Sequence, residues 1–451
     1  MNPGNYHLIT RGELNIVLDV PTGAVHVFDA PALAVFKALA EGKSFEDLAR
    51  DWQFSPEELA DSWQEVHGLI EQELLFTRDV KPRQRPGGGR FKAMCLHVAH
   101  DCDLRCRYCF ASTGSFGGER GLMDADVARS AVDLLLSSCG HTCEIDFFGG
   151  EPLLNMEVVR RTAAYARERA EALNKKVNLT LTTNANALTP ALQHELAELG
   201  LDLVLSHDGR PEVHDKMRPG CDGCGSYQAV TENIQALLAK IGDNHYVRGT
   251  YTALNTDFVR DIEHWLDLGF RRFSLEPVVA PARSHLAIRT EHLPQLRQQY
   301  WQLAELALNT PEPFVFFHFL IDWSQGPCGA KRASGCGAGV EYLAVSPAGE
   351  LYPCHQFVGQ SEWRLGDVYT GVSTPRVRDS FAAADMWQKE TCRKCWARYY
   401  CGGGCHANAW WANQSLDEPW DLGCELLKMR MEAALFLKVK QALNEQTIGK
   451  R

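Results

Sequence analysis

The sequence lacks the long apolar runs that a membrane protein needs. No stretch of the 451 residues is apolar over the roughly 20 residues that span a bilayer. The first residues, Met-Asn-Pro-Gly-Asn-Tyr-His, also lack the charged and apolar regions of a signal peptide. We therefore expect no membrane partner and a cytoplasmic location.

A long run of Lys and Arg is absent as well. The formal net charge is -11 at pH 7, from 46 basic and 57 acidic residues. This acidic balance argues against nucleic acid as a partner and favours a peptide or a small-molecule substrate. The length suggests about three domains, and 45% hydrophobic residues can supply their cores.

Cysteine, in contrast, is abundant, with 16 residues. In a reducing compartment this number favours metal or redox chemistry over disulfides. Cys102, Cys106 and Cys109 form a C-x3-C-x2-C run. Three thiolates can hold three corners of a [4Fe-4S] cluster, which leaves one iron open to chelate a small molecule. A zinc site or a redox thiol pair is the alternative.

Residues 1–77 are predicted to form a small α+β unit. Two β-rich runs, 14–20 and 24–29, predict a hairpin, and capping boxes at Ser44 and Ser55 predict helix starts. Such a unit leaves a strand edge to which an extended peptide can add. A structural cap on the next domain is the alternative.

The Pro- and Gly-rich residues 78–91 predict a linker, and residues 92–290 then alternate β-rich runs with helical stretches. Repeated β-α units specify a parallel sheet, so we predict an α/β fold with an open, partial (β/α)6 barrel. Its active residues should gather at the carboxyl ends of the strands. The predicted strands are 94–100, 143–148, 177–183, 202–206, 246–251 and 272–276, and the predicted helices are 124–137, 156–173, 190–199, 227–239 and 258–268.

Polar motifs follow these predicted strands. The second strand leads into Gly149-Gly150-Glu151-Pro152, whose glycines allow close backbone approach and whose carboxylate can accept an ammonium group. A tight turn would explain the same glycines. The later strands carry or precede Asn184, Ser206, Asp208 and Arg248.

A second set of cysteines follows a predicted bridging helical region, 291–327, and precedes a predicted C-terminal helix or tail, 431–451. Residues 328–430 contain two cysteine pairs with spacings like C-x2-C. A zinc ribbon is one explanation, because two such pairs satisfy tetrahedral zinc. The cysteines of this set are Cys328, Cys336, Cys354, Cys392, Cys395, Cys401, Cys405 and Cys424.

The first cysteine run and the Gly149–Pro152 motif resemble those of the radical S-adenosylmethionine (AdoMet, SAM) enzymes. In that family the open iron binds the amino and carboxylate groups of AdoMet, and an electron cleaves it to a 5'-deoxyadenosyl radical. The resemblance implies that the glycine motif binds the amino group and that Arg248 faces the carboxylate. It implies further AdoMet contacts from Tyr108, Asn184, Ser206 and Asp208.

The later cysteines resemble the SPASM iron-sulfur domain, which implies two auxiliary [4Fe-4S] clusters and three clusters in all. By this resemblance the first auxiliary cluster takes Cys336, Cys354 and Cys405. The second takes Cys392, Cys395, Cys401 and Cys424. Cys328 either completes the first auxiliary cluster or leaves an open iron there.

Several motifs resemble the thioether cross-link-forming SCIFF peptide maturases. The resemblance implies a winged-helix-like peptide-recognition domain at residues 1–77 that grips the leader of a ribosomal precursor peptide. It also implies an intramolecular bond from a Cys sulfur to a carbon, with ferredoxin or flavodoxin as electron donor. The motifs are 15–20, 23–27, Cys95–Cys102, 109–112, 116–118, Asp215–Pro219, Glu276–Pro281, Phe317–Phe319 and 335–345.

Two alternatives to thioether formation stay open. Related SPASM enzymes form formylglycine, epimerise residues or cross-link a subunit of quinohaemoprotein amine dehydrogenase. A non-catalytic iron-sulfur or zinc scaffold that only binds peptide is the alternative from another class.

Overall fold

A computed structural model describes residues 3–51, 54–79, 90–242, 245–321, 323 and 333–448. Buried apolar side chains form two hydrophobic cores. The smaller core lies within the N-terminal unit, and the larger core joins the middle of the chain to the cysteine-rich part, which we define as residues 333–448. No helix of the described residues is long and apolar enough to cross a membrane.

The N-terminal unit is a three-stranded antiparallel sheet with helices on one face. The predicted hairpin is present, and an additional strand, β1, pairs with its first strand, so that β2 is central and β3 is an edge. Successive side chains of a strand face opposite sides. Accordingly, Val17 packs in the smaller core while Ile16 and Leu18 pack in the larger one. The elements are β1 (Tyr6–Arg11), β2 (Leu14–Asp19), β3 (Val25–Phe28), α1 (Ala30–Glu41), α2 (Phe45–Asp51) and α3 (Pro56–Glu71).

Six parallel strands follow, and each pairs with the next along the chain. This confirms the predicted parallel sheet, because sequential parallel strands need a crossover between each pair. Each of the six predicted strands coincides with an observed one to within a residue or two. The strands are β4 (Ala93–Ala99), β5 (Thr142–Gly149), β6 (Lys176–Thr183), β7 (Asp202–Ser206), β8 (Tyr246–Tyr251) and β9 (Arg272–Pro277).

Helices fill the crossovers. All five predicted helices are present, and a short helix that was not predicted, α7, follows β7. The helices are α4 (Ala125–Ser138), α5 (Met156–Ala172), α6 (Pro190–Leu199), α7 (Pro211–Met217), α8 (Tyr227–Ile241), α9 (Val259–Asp267) and α10 (Leu293–Asn309).

The cysteine-rich part extends the same sheet. Its strand β11 pairs in parallel with β4, with Tyr342 opposite Ala93, and β12 to β14 continue in antiparallel order. On the far edge β10 pairs with β9. The strands are β10 (Val315–Phe316), β11 (Tyr342–Val345), β12 (Glu350–Tyr352), β13 (Gly366–Asp367) and β14 (Gly371–Val372).

Among the described later cysteines, Cys392 and Cys401 lie on short helices, whereas Cys336, Cys354, Cys395 and Cys405 lie in turns and loops. The long final helix includes Cys424, so the predicted boundary at residue 430 falls inside it. The helices are α11 (Pro375–Ala383), α12 (Glu390–Arg393), α13 (Arg398–Cys401), α14 (His406–Asn413) and α15 (Asp421–Ile448).

Candidate active site

A cavity of about 260 Å³ lies at the carboxyl ends of β4 to β9. The edge of a parallel sheet where the strands end is the usual position of an active site in such folds. Ten of the predicted site residues line the cavity: Cys102, Cys106, Tyr108, Cys109, Gly149, Gly150, Glu151, Asn184, Ser206 and Arg248.

Backbone hydrogen bonds hold the cysteine loop that follows β4. The amides of Arg105 and Arg107 donate to the carbonyl oxygens of Pro219 and Met217, both at 2.8 Å. The side chain of Asn184 donates to Asp103 at 2.7 Å. Hydrogen bonds from two other crossovers of the sheet therefore fix the position of the loop.

Two glycines let the backbone pack closely against this loop. A Cβ atom at Gly114 would lie 2.9 Å from the Cβ of Cys102, and one at Gly150 would overlap the carbonyl oxygen of Asp101. Gly150 therefore has the role that the sequence predicted, because only glycine allows this approach.

The donor set of the loop fits an iron-sulfur cluster. Cys102, Cys106 and Cys109 are free thiols that line one cavity. Burial raises the pKa of Cys106 to about 11 in the free protein, and metal binding must displace that proton. A zinc site needs four ligands around one point. Among the described residues no three His, Cys, Asp or Glu side chains are arranged to hold a single metal ion.

Glu151 is fully buried in the cavity wall. Its carboxylate accepts hydrogen bonds from the Thr183 hydroxyl at 2.7 Å and from the amides of Asn184 and Leu153 at 2.8 and 3.0 Å. Burial raises its pKa to about 7, although these hydrogen bonds oppose the shift. Glu151 therefore ties β5 to β6 and changes charge near neutral pH.

Asp208 and Pro152 do not line the cavity. Asp208 is fully buried, accepts a hydrogen bond from the Tyr108 hydroxyl at 2.5 Å and lies 3.0 Å from Nε of Arg218. It thereby positions two residues that do line the cavity. Pro152 begins a 3-10 turn behind the glycines.

Arg218 and Glu276 are cavity residues to which the sequence assigned no role. Glu276 lies 3.9 Å from Nε of Arg248 and 2.7 Å from Nε2 of His318. Burial alone would raise the pKa of Glu276, but the hydrogen bond with His318 and the charge of Arg248 outweigh burial and lower this pKa to about 2, so the carboxylate stays ionised. Burial lowers the pKa of His318 as well, so we attribute its effect to the hydrogen bond. Both residues belong to motifs that resemble those of the SCIFF maturases, and this resemblance is the sequence signal that could have identified them as site residues.

The cysteine-rich part also reaches this cavity. His355 and Gln356 line it, directly after Cys354. The His355 ring lies 5.4 Å from the rings of Phe110 and Phe148, and burial lowers its pKa to about 4, so it is neutral. Cys354 is consequently adjacent to the wall of the cavity that holds the first cysteine run.

The described thiols of the cysteine-rich part influence one another in two sets, which have the same members as the predicted ligand groups. Burial and the charges of Cys405 and Cys336 raise the pKa of Cys354. In the same way, burial and the charges of Cys401, Cys392 and Cys395 raise the pKa of Cys424 to about 12. Cys328 lies outside the described residues.

Comparisons with known sequences agree with this geometry. Residues 96–269 match the Radical SAM superfamily. The cysteine-type anaerobic sulfatase-maturating enzyme of Clostridium perfringens is 25% identical over 324 residues, which cover 67% of this chain and 85% of that enzyme. The antilisterial bacteriocin subtilosin biosynthesis protein AlbA of Bacillus subtilis is 24% identical over 367 residues, 77% of this chain and 76% of that protein.

Solved structures share the fold. A structure described as native anSMEcpe with bound AdoMet has a TM-score of 0.66 at 21% identity, over 78% of this chain and 99% of that one. Streptococcus suis SuiB bound to precursor peptide SuiA has a TM-score of 0.54 at 14% identity, over 93% and 98%. The segment 96–269, which includes the cysteine loop and most of the parallel sheet, is thus similar to the Radical SAM superfamily.

Proposed function

We propose that this protein is a radical AdoMet peptide maturase that forms an intramolecular thioether in a ribosomally made, cysteine-rich SCIFF peptide. One observation carries the proposal: residues next to Cys354 share a cavity with Cys102, Cys106 and Cys109. Similarity to a subtilosin biosynthesis protein and to a PqqA peptide cyclase supports action on a peptide.

Cys102, Cys106 and Cys109 would hold a [4Fe-4S] cluster that leaves one iron open for AdoMet. When both are bound, the cluster and AdoMet together supply a 5'-deoxyadenosyl radical, which can abstract a hydrogen atom from a substrate carbon. Arg248 is 48% exposed at the cavity and is the guanidinium available for the AdoMet carboxylate. The Gly149–Glu151 turn would face the amino group. An external ferredoxin or flavodoxin would supply the electron.

The two later cysteine groups would hold the auxiliary clusters. The first group, Cys336, Cys354 and Cys405, has three described thiols and lies beside the cavity, so it suits capture of a substrate thiol. His355, which directly follows Cys354, lines the cavity with a neutral ring. The residues of the cavity and of the first cysteine group would thus hold the substrate cysteine close to the carbon that it attacks.

Leader binding would use the groove between β3 and α3. Val25, Val27 and Phe28 supply apolar contacts along β3, which is the edge of its sheet. Glu13 and Glu65 are exposed at the same groove. An extended peptide can add to an edge strand through its backbone. We expect the bound leader segment to carry basic residues beside apolar ones, because acidic groups border the groove.

The decisive experiment is anaerobic incubation of the protein with AdoMet, a reductant and a cysteine-rich peptide encoded beside its gene. The products are alkylated at their thiols and sequenced by tandem mass spectrometry. We expect loss of two hydrogens, with one cysteine protected from alkylation by a link that phosphine does not reduce. The matched control, Cys102→Ala with Cys106→Ala and Cys109→Ala, should give neither product nor 5'-deoxyadenosine.

Other results would redirect the proposal. Replacement of a Cys thiol by an aldehyde would mean formylglycine formation, the activity suggested by the sulfatase-maturating relatives. Formation of 5'-deoxyadenosine with an unmodified peptide would support the proposed radical chemistry and contradict the proposed peptide substrate. AdoMet cleavage that persists in the triple variant would refute the cluster assignment.

A further inference from the structure

A lysine is buried inside the cysteine-rich part. Lys389 is 1% exposed and immediately precedes α12, the helix that carries Cys392. Its Nζ donates to the carbonyl oxygen of Gly403 at 3.0 Å. Among the described residues no carboxylate lies within ion-pair distance of this ammonium group. A lone backbone carbonyl is weak compensation for a buried charge.

The charges that act on Lys389 come mainly from cysteines. Burial lowers its pKa, while negative charge on Cys392, Cys401 and Cys424 and on Asp417 raises it. The positive charge of Lys389 acts in turn on Cys405, a member of the first group. Geometry agrees with this: Lys389 lies three residues before Cys392, and the carbonyl to which it donates belongs to Gly403, two residues from Cys401 and two from Cys405.

Other charged groups near this position are few. The His406 ring contacts the carbonyl oxygen of Ala384, and burial lowers its pKa to about 4, so it adds no positive charge at neutral pH. Asp417 is exposed, which allows water to screen its carboxylate. The buried partner of the ammonium group is thus the thiol set itself.

We propose that Lys389 raises the reduction potential of the second auxiliary cluster, the one held by Cys392, Cys395, Cys401 and Cys424. The inference rests on the proposed function, because it requires that these four cysteines bind a cluster. A cluster becomes more negative on reduction, so a nearby buried cation stabilises its reduced form more than its oxidised form. Charge and hydrogen bonds near the ligands are established determinants of cluster potential.

Two substitutions separate charge from packing. Lys389→Gln retains a donor for the Gly403 carbonyl and removes the charge, whereas Lys389→Arg retains the charge. Lys394→Gln is the matched control, because Lys394 is 73% exposed and pairs with Glu390 at the surface, close to α12. Each full-length protein is reconstituted anaerobically, and its clusters are titrated with reductant while their EPR signals are recorded. The second auxiliary signal is the one that Cys424→Ala removes.

At a fixed solution potential we expect Lys389→Gln to lower the ratio of reduced to oxidised second auxiliary cluster about tenfold, a shift of about 59 mV for one electron. Lys389→Arg and Lys394→Gln should stay within about threefold of the wild type. An unchanged ratio in Lys389→Gln would overturn the inference and leave the proposed function intact.

Cluster loss is informative as well. If Lys389→Gln fails to retain the second cluster while Lys389→Arg retains it, the cation is required to assemble the site, which supports the inference. Loss in both variants would assign Lys389 to packing and overturn it. A wild-type protein that binds iron for one cluster alone would instead refute the proposed auxiliary clusters, which iron analysis shows before any variant is made.

Discussion

The charge of Glu151 links stability to pH at the scale of a single residue. Its pKa is about 7 in the folded protein, against an ordinary 4.5, because burial disfavours the carboxylate. The folded state therefore binds more protons than the unfolded state between these values, and the stability from this protonation is lost as the pH rises to 7. Glu151→Gln cannot lose a proton, so it should not show this loss.

We expect the free energy of unfolding of the wild type to fall by about 1 kcal/mol, relative to Glu151→Gln, between about pH 6 and pH 8. Anaerobic urea unfolding at both pH values measures the difference. Glu171→Gln, an exposed substitution on α5, is the control. The interpretation is wrong if Glu151→Gln and Glu171→Gln show the same dependence on pH.

Asp208 and Arg218 form a buried ion pair that also orients Tyr108 at the cavity. Asp208→Asn leaves the Arg218 guanidinium buried without its counter-charge, and removal of one partner of such a pair typically costs about 3–5 kcal/mol. We expect a loss of this size in urea unfolding, together with weaker AdoMet binding in calorimetry. Asp202→Asn, an exposed substitution at the start of β7, the strand that ends two residues before Asp208, should change neither quantity. If Asp208→Asn and Asp202→Asn have the same free energy of unfolding and the same AdoMet affinity, the ion pair contributes to neither.

At the scale of elements, the proposed leader groove between β3 and α3 can be tested by a change of charge. Glu65 is exposed on α3 at the groove, so Glu65→Lys should weaken binding of a basic leader about tenfold, through loss of attraction and new repulsion. Fluorescence anisotropy with a labelled leader peptide measures the affinity. Glu71→Lys, which makes the same change on α3 outside the groove lining, is the control. Equal affinities in the two variants would place the leader elsewhere.

The same scale shows what local sequence can predict. Strands β4 to β9 and their helices were predicted because each carries its own apolar pattern. Strand β1 was missed: its side chains are mostly half-buried, and the contacts of His7 with Trp396 and Glu432 are distant in sequence. Strand β11 was predicted neither as a strand nor as a neighbour of β4, since four residues carry little pattern and the pairing spans more than two hundred positions.

The residues of the candidate site also divide into those with a local sequence signal and those placed by contacts distant in sequence. Ser206, at the end of β7, was placed at the site because parallel strands bring their carboxyl ends together. Arg248 lies inside β8, opposite Ser206, and was assigned from resemblance. His355 reaches the cavity only through the packing of the cysteine-rich part against the sheet, which no local pattern specifies. Asp208 was assigned to AdoMet from resemblance, and its place behind Tyr108 and Arg218 became visible only in three dimensions.

At the scale of the whole molecule, the N-terminal unit is fixed to the cysteine-rich part. The ring of His7 stacks on Trp396 with centroids 3.8 Å apart and planes 5° from parallel. Arg398 has a fully buried side chain and donates to the carbonyl oxygens of Gly4 and Cys395 at 2.6 and 2.9 Å. One side chain therefore joins the first residues of the chain to a predicted cluster ligand.

Arg398 also donates to the Asp79 carboxylate at 2.6 and 2.8 Å and to Asn5 at 2.9 Å. Arg398→Met removes every one of these bonds and leaves Asp79, which is partly exposed, without its cation. We expect a cost near the lower end of the 3–5 kcal/mol range for buried pairs, and about 3 kcal/mol corresponds to roughly hundredfold faster opening of the interface. Hydrogen exchange of the amides of β1, read by mass spectrometry, measures this opening. Arg393→Met is the matched control, because Arg393 is exposed on α12 five residues earlier. If exchange of β1 is as slow in Arg398→Met as in Arg393→Met, the stacking of His7 and the buried face of β2 hold the N-terminal unit in place without Arg398.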